Sequence, residues 1–166
     1  PGQAGSTAMA LLLQAFALAQ TMLRIKDPAK TIPFYTEQFG MTLIAERHYP
    51  KEKGDFSLYF LANLDADTAA ALPPADQPEA MQFIKDELYP ASVPVLELTH
   101  NHGTETDEAF AHFNGNEDGR KGFGHTGFLV DDVLANQPPN LPSFETIALQ
   151  VQSARARQTR PRSKSY

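Results

Sequence analysis

Cysteine is absent from the 166 residues. A disulfide framework, a thiolate metal site and a cysteine nucleophile are therefore excluded, and a reducing, cytoplasmic setting is expected. Long apolar runs are absent too. No stretch reaches the roughly 18–20 residues of a membrane-spanning helix, so no membrane partner is expected. Ala8 to Ala19 comes nearest, but no Lys or Arg precedes it as a signal peptide requires. Leu12, Phe16 and Ala19 recur at helical spacing and predict a short helix docking on the domain. The first residue is Pro1 and not Met, so further residues upstream are expected. Positive charge is in deficit, with a net charge of −6, which argues against a nucleic-acid partner. The basic residues are unevenly spread. Arg155, Arg157, Arg160, Arg162 and Lys164 occupy the last twelve positions with no acid among them, leaving 9 basic against 20 acidic residues before them. A solvated tail, disordered from about 155, is the expectation.

What is present is a globular composition, 42% hydrophobic and 20% charged, of a length that fits one domain with a sizeable core. Gln20 to Ile25 alternates as a strand does. Asp27-Pro28 opens a helix, with Asp as N-cap and Pro in the first turn. Ile32, Tyr35 and Phe39 form its apolar stripe and Gly40 ends it. Pro33 stands inside this helix, where it costs about 3 kcal/mol or forces a kink. Met41 to Ala45 reads as a second strand and Pro50 to Gly54 as a charged turn. Phe56 to Ala62 is a third strand, with Phe56, Leu58 and Phe60 on one face. Asp65 to Pro78 reads as a loop, Gln77 to Leu88 as a short helix and Val93 to Thr99 as a fourth strand. Asn101 to Gly122 is a long polar loop of the kind that is functional or disordered. Phe123 to Val130 reads as a strand, and Asp131-Asp132 as a helix start. From Leu134 the character changes: Pro138, Pro139 and Pro142 break any helix, 144–151 suits one last strand and 151–158 a short helix.

Three residues invite a metal reading. A glutamine at a strand start, such as Gln20, is ordinarily just hydrogen-bonded. Glu97 lies between Leu96 and Leu98; turned inward it needs a cation or a donor, turned outward it is simply solvated. His125 follows Gly-Phe-Gly, where small residues permit close approach, yet a lone histidine there is more often a structural hydrogen-bonder. His100 and His102 read as loop and edge residues. An amide, a carboxylate and an imidazole together suit a divalent ion such as Zn or Ni.

The order Gln20-Thr-Met-Leu-Arg24, Asp27-Pro28, Phe34-Tyr35, Gly40-Met-Thr-Leu43, Phe56-Ser-Leu-Tyr-Phe-Leu-Ala62, Leu96-Glu-Leu-Thr-His-Asn101 and Gly122-Phe-Gly-His125 resembles the glyoxalase I family, the lactoylglutathione lyases. The resemblance implies an α+β fold of the vicinal-oxygen-chelate type, built from βαβββ modules. The glyoxalase-like region is 1–133. Its first module, about 17–100, is complete. A second begins at about 122–133 and is incomplete, and 134–166 is a divergent tail. By the same resemblance Gln20, Glu97 and His125 are metal ligands. Arg24 and Asn101 hold the glutathione moiety, Lys121 or Arg120 supplies a further cation, and Phe56, Leu58 and Phe60 form the apolar pocket. Arginine suits its part because its planar fork binds carboxylate bidentately.

The implied reaction isomerises the hemithioacetal of methylglyoxal and glutathione to S-lactoylglutathione by metal-assisted proton transfer, in a homodimer. The family's usual base is a glutamate in a late strand resembling Trp-Ile-Glu-Ile. No such motif stands in the 41 residues after His125, and the neighbours of Glu145 do not match it. Glu97 is the candidate surviving base. A non-catalytic binder of metal or glutathione conjugates, its C-terminus altered by splicing or frameshift, is the second reading. An extradiol dioxygenase is the third; it wants two histidines and a carboxylate around Fe(II), which Gln20 does not supply.

Overall fold

A computed structural model describes residues 17–113, 115–119 and 121–129, in two compact units that divide between His112 and Phe113. Arg120, the expected helix around Leu12 and Phe16, the helix start at Asp131-Asp132 and the whole tail 134–166, with its expected strand and helix, lie outside the described residues.

The first unit runs β1 (Gln20–Ile25), α1 (Pro28–Phe39), β2 (Thr42–Tyr49), β3 (Phe56–Ala62), α2 (Ala66–Ala70), α3 (Pro78–Phe83), a π-helical turn (Ile84–Leu88) and β4 (Val95–Asn101). The four strands form one mixed sheet in the order β1-β4-β3-β2. β1 lies parallel to β4, and β3 is antiparallel to both β4 and β2. This is the expected α+β arrangement, one complete βαβββ module.

The ends of α1 follow the residues placed there. Asp27 is extended and its Oδ1 accepts from Ala29 N at 2.9 Å. Gly40 closes the helix in the left-handed region, at φ 62°, where a Cβ costs energy and glycine does not. Pro33 neither breaks nor ends the helix; its missing N–H forfeits one bond, to the carbonyl four residues back. β2 extends four residues beyond the expected Ala45, past a bulge between Leu43 and Ala45. Its charged half, Glu46 to His48, hides it from apolar pattern, but pairing with β3 satisfies the backbone. Within the expected 65–78 loop, α2 forms because Asp65 caps it, accepting from Thr68 N at 2.8 Å.

The core gathers Ile44, Ala45, Phe60, Ala62 and Val95 from the sheet with Ala80, Ile84 and Leu88 from α3 and the π turn. Ile84 and Leu88 are essentially sealed. The segment Pro78–Leu88 therefore covers one end of one sheet face. Among the described residues no helix is long and apolar enough to cross a membrane.

In the second unit, residues 123–129 do not form the expected strand. Phe123 and Leu129 are exposed, and 123–129 have no ladder partner among the described residues. Instead the chain folds back on itself, with Gly122 N donating to Gly115 O at 2.9 Å. A Cβ at Gly115 would stand 1.9 Å from Phe123 O, so this close approach requires glycine there.

Candidate metal centre

Strand pairing decides which side chains share a face. Met22 lies opposite Glu97 and Arg24 opposite Thr99, while Phe60 and Leu58 lie opposite Glu97 and Thr99 across β3. Gln20, Met22, Arg24, Phe56, Leu58, Phe60, Glu97, Thr99 and Asn101 therefore belong to one face. On it the structure joins two polar couples, each spanning 77 residues of chain. Gln20 Nε2 donates to Glu97 Oε2, and Arg24 Nη1 donates to Asn101 Oδ1 at 3.0 Å. Thr99 Oγ1 steadies the other carboxylate oxygen, Glu97 Oε1, at 3.2 Å. Glu97 is half-buried on this face. Phe56 and Leu58 are half-buried beside it, whereas Phe60 is 3% exposed and packs in the core.

A third partner escaped sequence reasoning. Tyr89, just past the π turn, donates its hydroxyl to Gln20 Oε1. It lies in no strand and no motif; only the fold of the 84–89 segment brings it back to β1. Burial, and then the negative charge of Glu97, push its phenol above the usual tyrosine range.

The second unit carries His125, which is exposed. Around it the chain is held by Asn116 Nδ2 to Gly124 O at 3.1 Å. Lys121 is engaged by Asp118 at 2.8 Å and by Asn116 O at 3.3 Å. Of the three expected ligands, Gln20 and Glu97 thus meet within the first unit, and His125 is described within the second.

The opposite face of the sheet holds an unforeseen polar chain. His102 Nδ1 meets Asp55 Oδ1 at 2.9 Å, His102 Nε2 meets Ser57 Oγ at 2.7 Å, and His48 Nδ1 meets the same hydroxyl at 2.8 Å. The order is that of a nucleophile, base and orienting acid. Ser57, however, is 2% exposed, and its hydroxyl is shared between two imidazoles. With Asp55 holding the proton on His102 Nδ1, Ser57 donates to His102 and accepts from His48. The chain ties β2, β3 and the end of β4 together and offers no open nucleophile. His100, expected as a loop or edge residue, is instead a buried member of β4, bonded to Glu105 at 2.8 Å.

Within the first unit an amide and a carboxylate meet, though it is the amide nitrogen that faces the carboxylate. Among the described residues no group of three or more histidine, aspartate and glutamate side chains is arranged to hold an ion. Residues 17–137 match the family model described as Glyoxalase/Bleomycin resistance protein/Dioxygenase superfamily. The chain is 47% identical over 121 residues to a protein of Pseudomonas putida named lactoylglutathione lyase, a match covering 72% of this chain and 62% of the relative. It is 42% identical over 116 residues to glyoxalase I of Saccharomyces cerevisiae, covering 70% of this chain and 32% of the relative. It therefore spans about three fifths and one third of the lengths of these two relatives. A solved glyoxalase I from Zea mays aligns at a TM-score of 0.45 and 23% identity, covering 72% of this chain and 30% of that one.

Proposed function

We propose a function from one premise: the chain belongs to the Glyoxalase/Bleomycin resistance protein/Dioxygenase superfamily. That function is lactoylglutathione lyase activity, the isomerisation of the methylglyoxal–glutathione hemithioacetal to S-lactoylglutathione. The observation that carries it is the convergence of Gln20 with Glu97 beside Arg24 with Asn101 on one sheet face. The relatives named lactoylglutathione lyase and glyoxalase I support the choice of chemistry.

Gln20, Glu97 and His125 would hold the metal, Zn or Ni. When bound it supplies Lewis-acid stabilisation of the negative charge that develops on the substrate's two oxygens. Glu97 takes the proton from the carbon bearing sulfur and returns it to the neighbouring carbon. The Thr99 hydroxyl on Oε1 holds that carboxylate in place. Arg24 binds a glutathione carboxylate, its fork steadied by Asn101, and Lys121 or Arg120 offers a second cation. The half-buried Phe56 and Leu58 receive the methyl end of the substrate. β1 is an edge strand among the described residues and its Met22 is exposed, so pairing with a second copy of the chain is expected. Sedimentation should give a dimer; a monomer at micromolar concentration would remove that part of the reading.

The test is formation of the S-lactoylglutathione thioester by the purified, metal-loaded chain. The wild type should turn over and Glu97→Gln should lose at least 100-fold, within the span expected for a removed acid–base group. Equal rates would strike Glu97 from the mechanism. Bound metal without turnover would favour the non-catalytic binder instead.

A further inference from the structure

The register between β1 and β4 runs as far as Ile25 opposite His100. One residue further along, the two strand ends are joined by a side chain from the following loop. Thr104 Oγ1 reaches Lys26 O at 2.8 Å and Asn101 O at 2.9 Å. A hydroxyl has one proton to donate, so these near-equal distances describe one bond shared between two carbonyls. Thr104 N also donates to Asn101 O, at 3.3 Å, which closes a turn directly after β4. Further on, Lys26 Nζ donates to Phe110 O at 2.8 Å. The 101–110 loop is thus tied back to the end of β1 at two places.

The bridged carbonyls sit at the Arg24–Asn101 couple. Lys26 follows Arg24 by two residues, and Asn101 is itself one of the bridged residues. Both members of the couple are exposed, so packing does little to fix them, and their side chains share one bond of 3.0 Å. The separation of the two strand ends beneath them decides whether they can act together. Thr104, half-buried, holds that separation. Without its proton the carbonyls of Lys26 and Asn101 would face each other as two acceptors, and like dipoles would push the ends apart. We propose that Thr104 is a positioning residue for the glutathione part of the substrate, its hydroxyl spacing the ends of β1 and β4 so that Arg24 and Asn101 bind one ligand together. This rests on the functional reading above. Thr104 touches no substrate in this account; it acts through Arg24 and Asn101.

The test combines calorimetric binding of S-methylglutathione with steady-state isomerisation of the hemithioacetal, using the full chain. The variants are Thr104→Val, Thr104→Ser, Arg24→Ala and the Thr104→Val, Arg24→Ala double. Thr104→Val keeps the side chain's shape and removes its donor. It should weaken S-methylglutathione binding and raise KM about 5- to 10-fold, the size of one lost hydrogen bond, with kcat within about twofold. Thr104→Ser keeps the hydroxyl and should restore both. In the Arg24→Ala background no couple is left to space, so Thr104→Val should change binding less than about twofold. Unchanged binding and KM in Thr104→Val would overturn the proposal. So would an undiminished loss in the Arg24→Ala background, or a fall in kcat as large as the rise in KM, either of which marks Thr104 as merely structural. S-methylglutathione bound by a wild type that does not turn over would defeat the lyase reading, and the binding titrations would then decide on Thr104 alone. A wild type that binds none would defeat both. Circular dichroism checks the fold of each variant, and Thr104→Ala takes the place of Thr104→Val if the valine does not fold.

Discussion

Arg24 shows how much one side chain is fixed by its neighbours. Its guanidinium is exposed on β1, and Asn101 holds one arm of the fork at 3.0 Å. A group that binds a remote part of the substrate equally in ground and transition states changes KM more than kcat. Arg24→Ala should therefore raise KM for the hemithioacetal about 10- to 100-fold, as for loss of a charge-assisted bond of about 1.5–3 kcal/mol, with kcat within about threefold. A fall in kcat at unchanged KM would place Arg24 in the chemistry and not in binding. At this scale much was legible. Alternation put Phe56, Leu58 and Phe60 on one face, and the structure agrees. Alternation could not say that Phe60 is sealed under Ile84 and Leu88 while Phe56 and Leu58 stay accessible, because that depends on a segment more than twenty residues further on. Ser57 and Tyr89 left no trace, since their meaning comes from partners distant in the chain.

At the scale of elements, caps were the most readable signals. Asp27, Pro28 and Gly40 act through bonds to residues nearby, so sequence specifies them locally. The end of β2 and the true end of β4 were not readable. Glu46, His48 and His100 are polar residues kept in strands by cross-strand pairing and side-chain bonds, not by apolar pattern. The link from β4 to the following turn is one such bond. Glu105 accepts from His100 Nε2 at 2.8 Å and from Gly103 N at 2.8 Å. A backbone bond at Glu105 itself, and then His100, hold its carboxyl below the usual glutamate range. The sign follows from linkage. A carboxyl whose folded pKa is depressed binds fewer protons folded than unfolded, so it stabilises the fold above the unfolded value of about 4.3. That contribution fades as pH falls from there through the lower folded value. Denaturant unfolding of Glu105→Gln should show a shallower loss of stability than wild type across that acid window, and lower stability at pH 7. Parallel pH profiles would mean that the bond does not bear on folding.

At the scale of the whole molecule, the sheet order β1-β4-β3-β2 is what brings Gln20 to Glu97 across 77 residues of chain. Parallel pairing of β1 with β4 sets Met22 against Glu97, and that register places Gln20 and Arg24 on the same face as the carboxylate. Nothing local in Gln20-Thr-Met-Leu-Arg24 states this; it was legible only because several short segments stand in a familiar order. The opposite face gathers three imidazoles, His48, His100 and His102, and so provides an internal rival for any added metal. Among the described residues, however, no group of three or more histidine, aspartate and glutamate side chains is arranged to hold an ion. The most direct measurement is anomalous X-ray scattering at the nickel or zinc edge from crystals grown with that metal. The account predicts a single strong peak within about 2.0–2.2 Å of Gln20 Oε1 and a Glu97 oxygen, with the imidazole of His125 from the same or a second copy completing the set. A peak among His48, His100 and His102, or none between Gln20 and Glu97 at saturating metal, would contradict it.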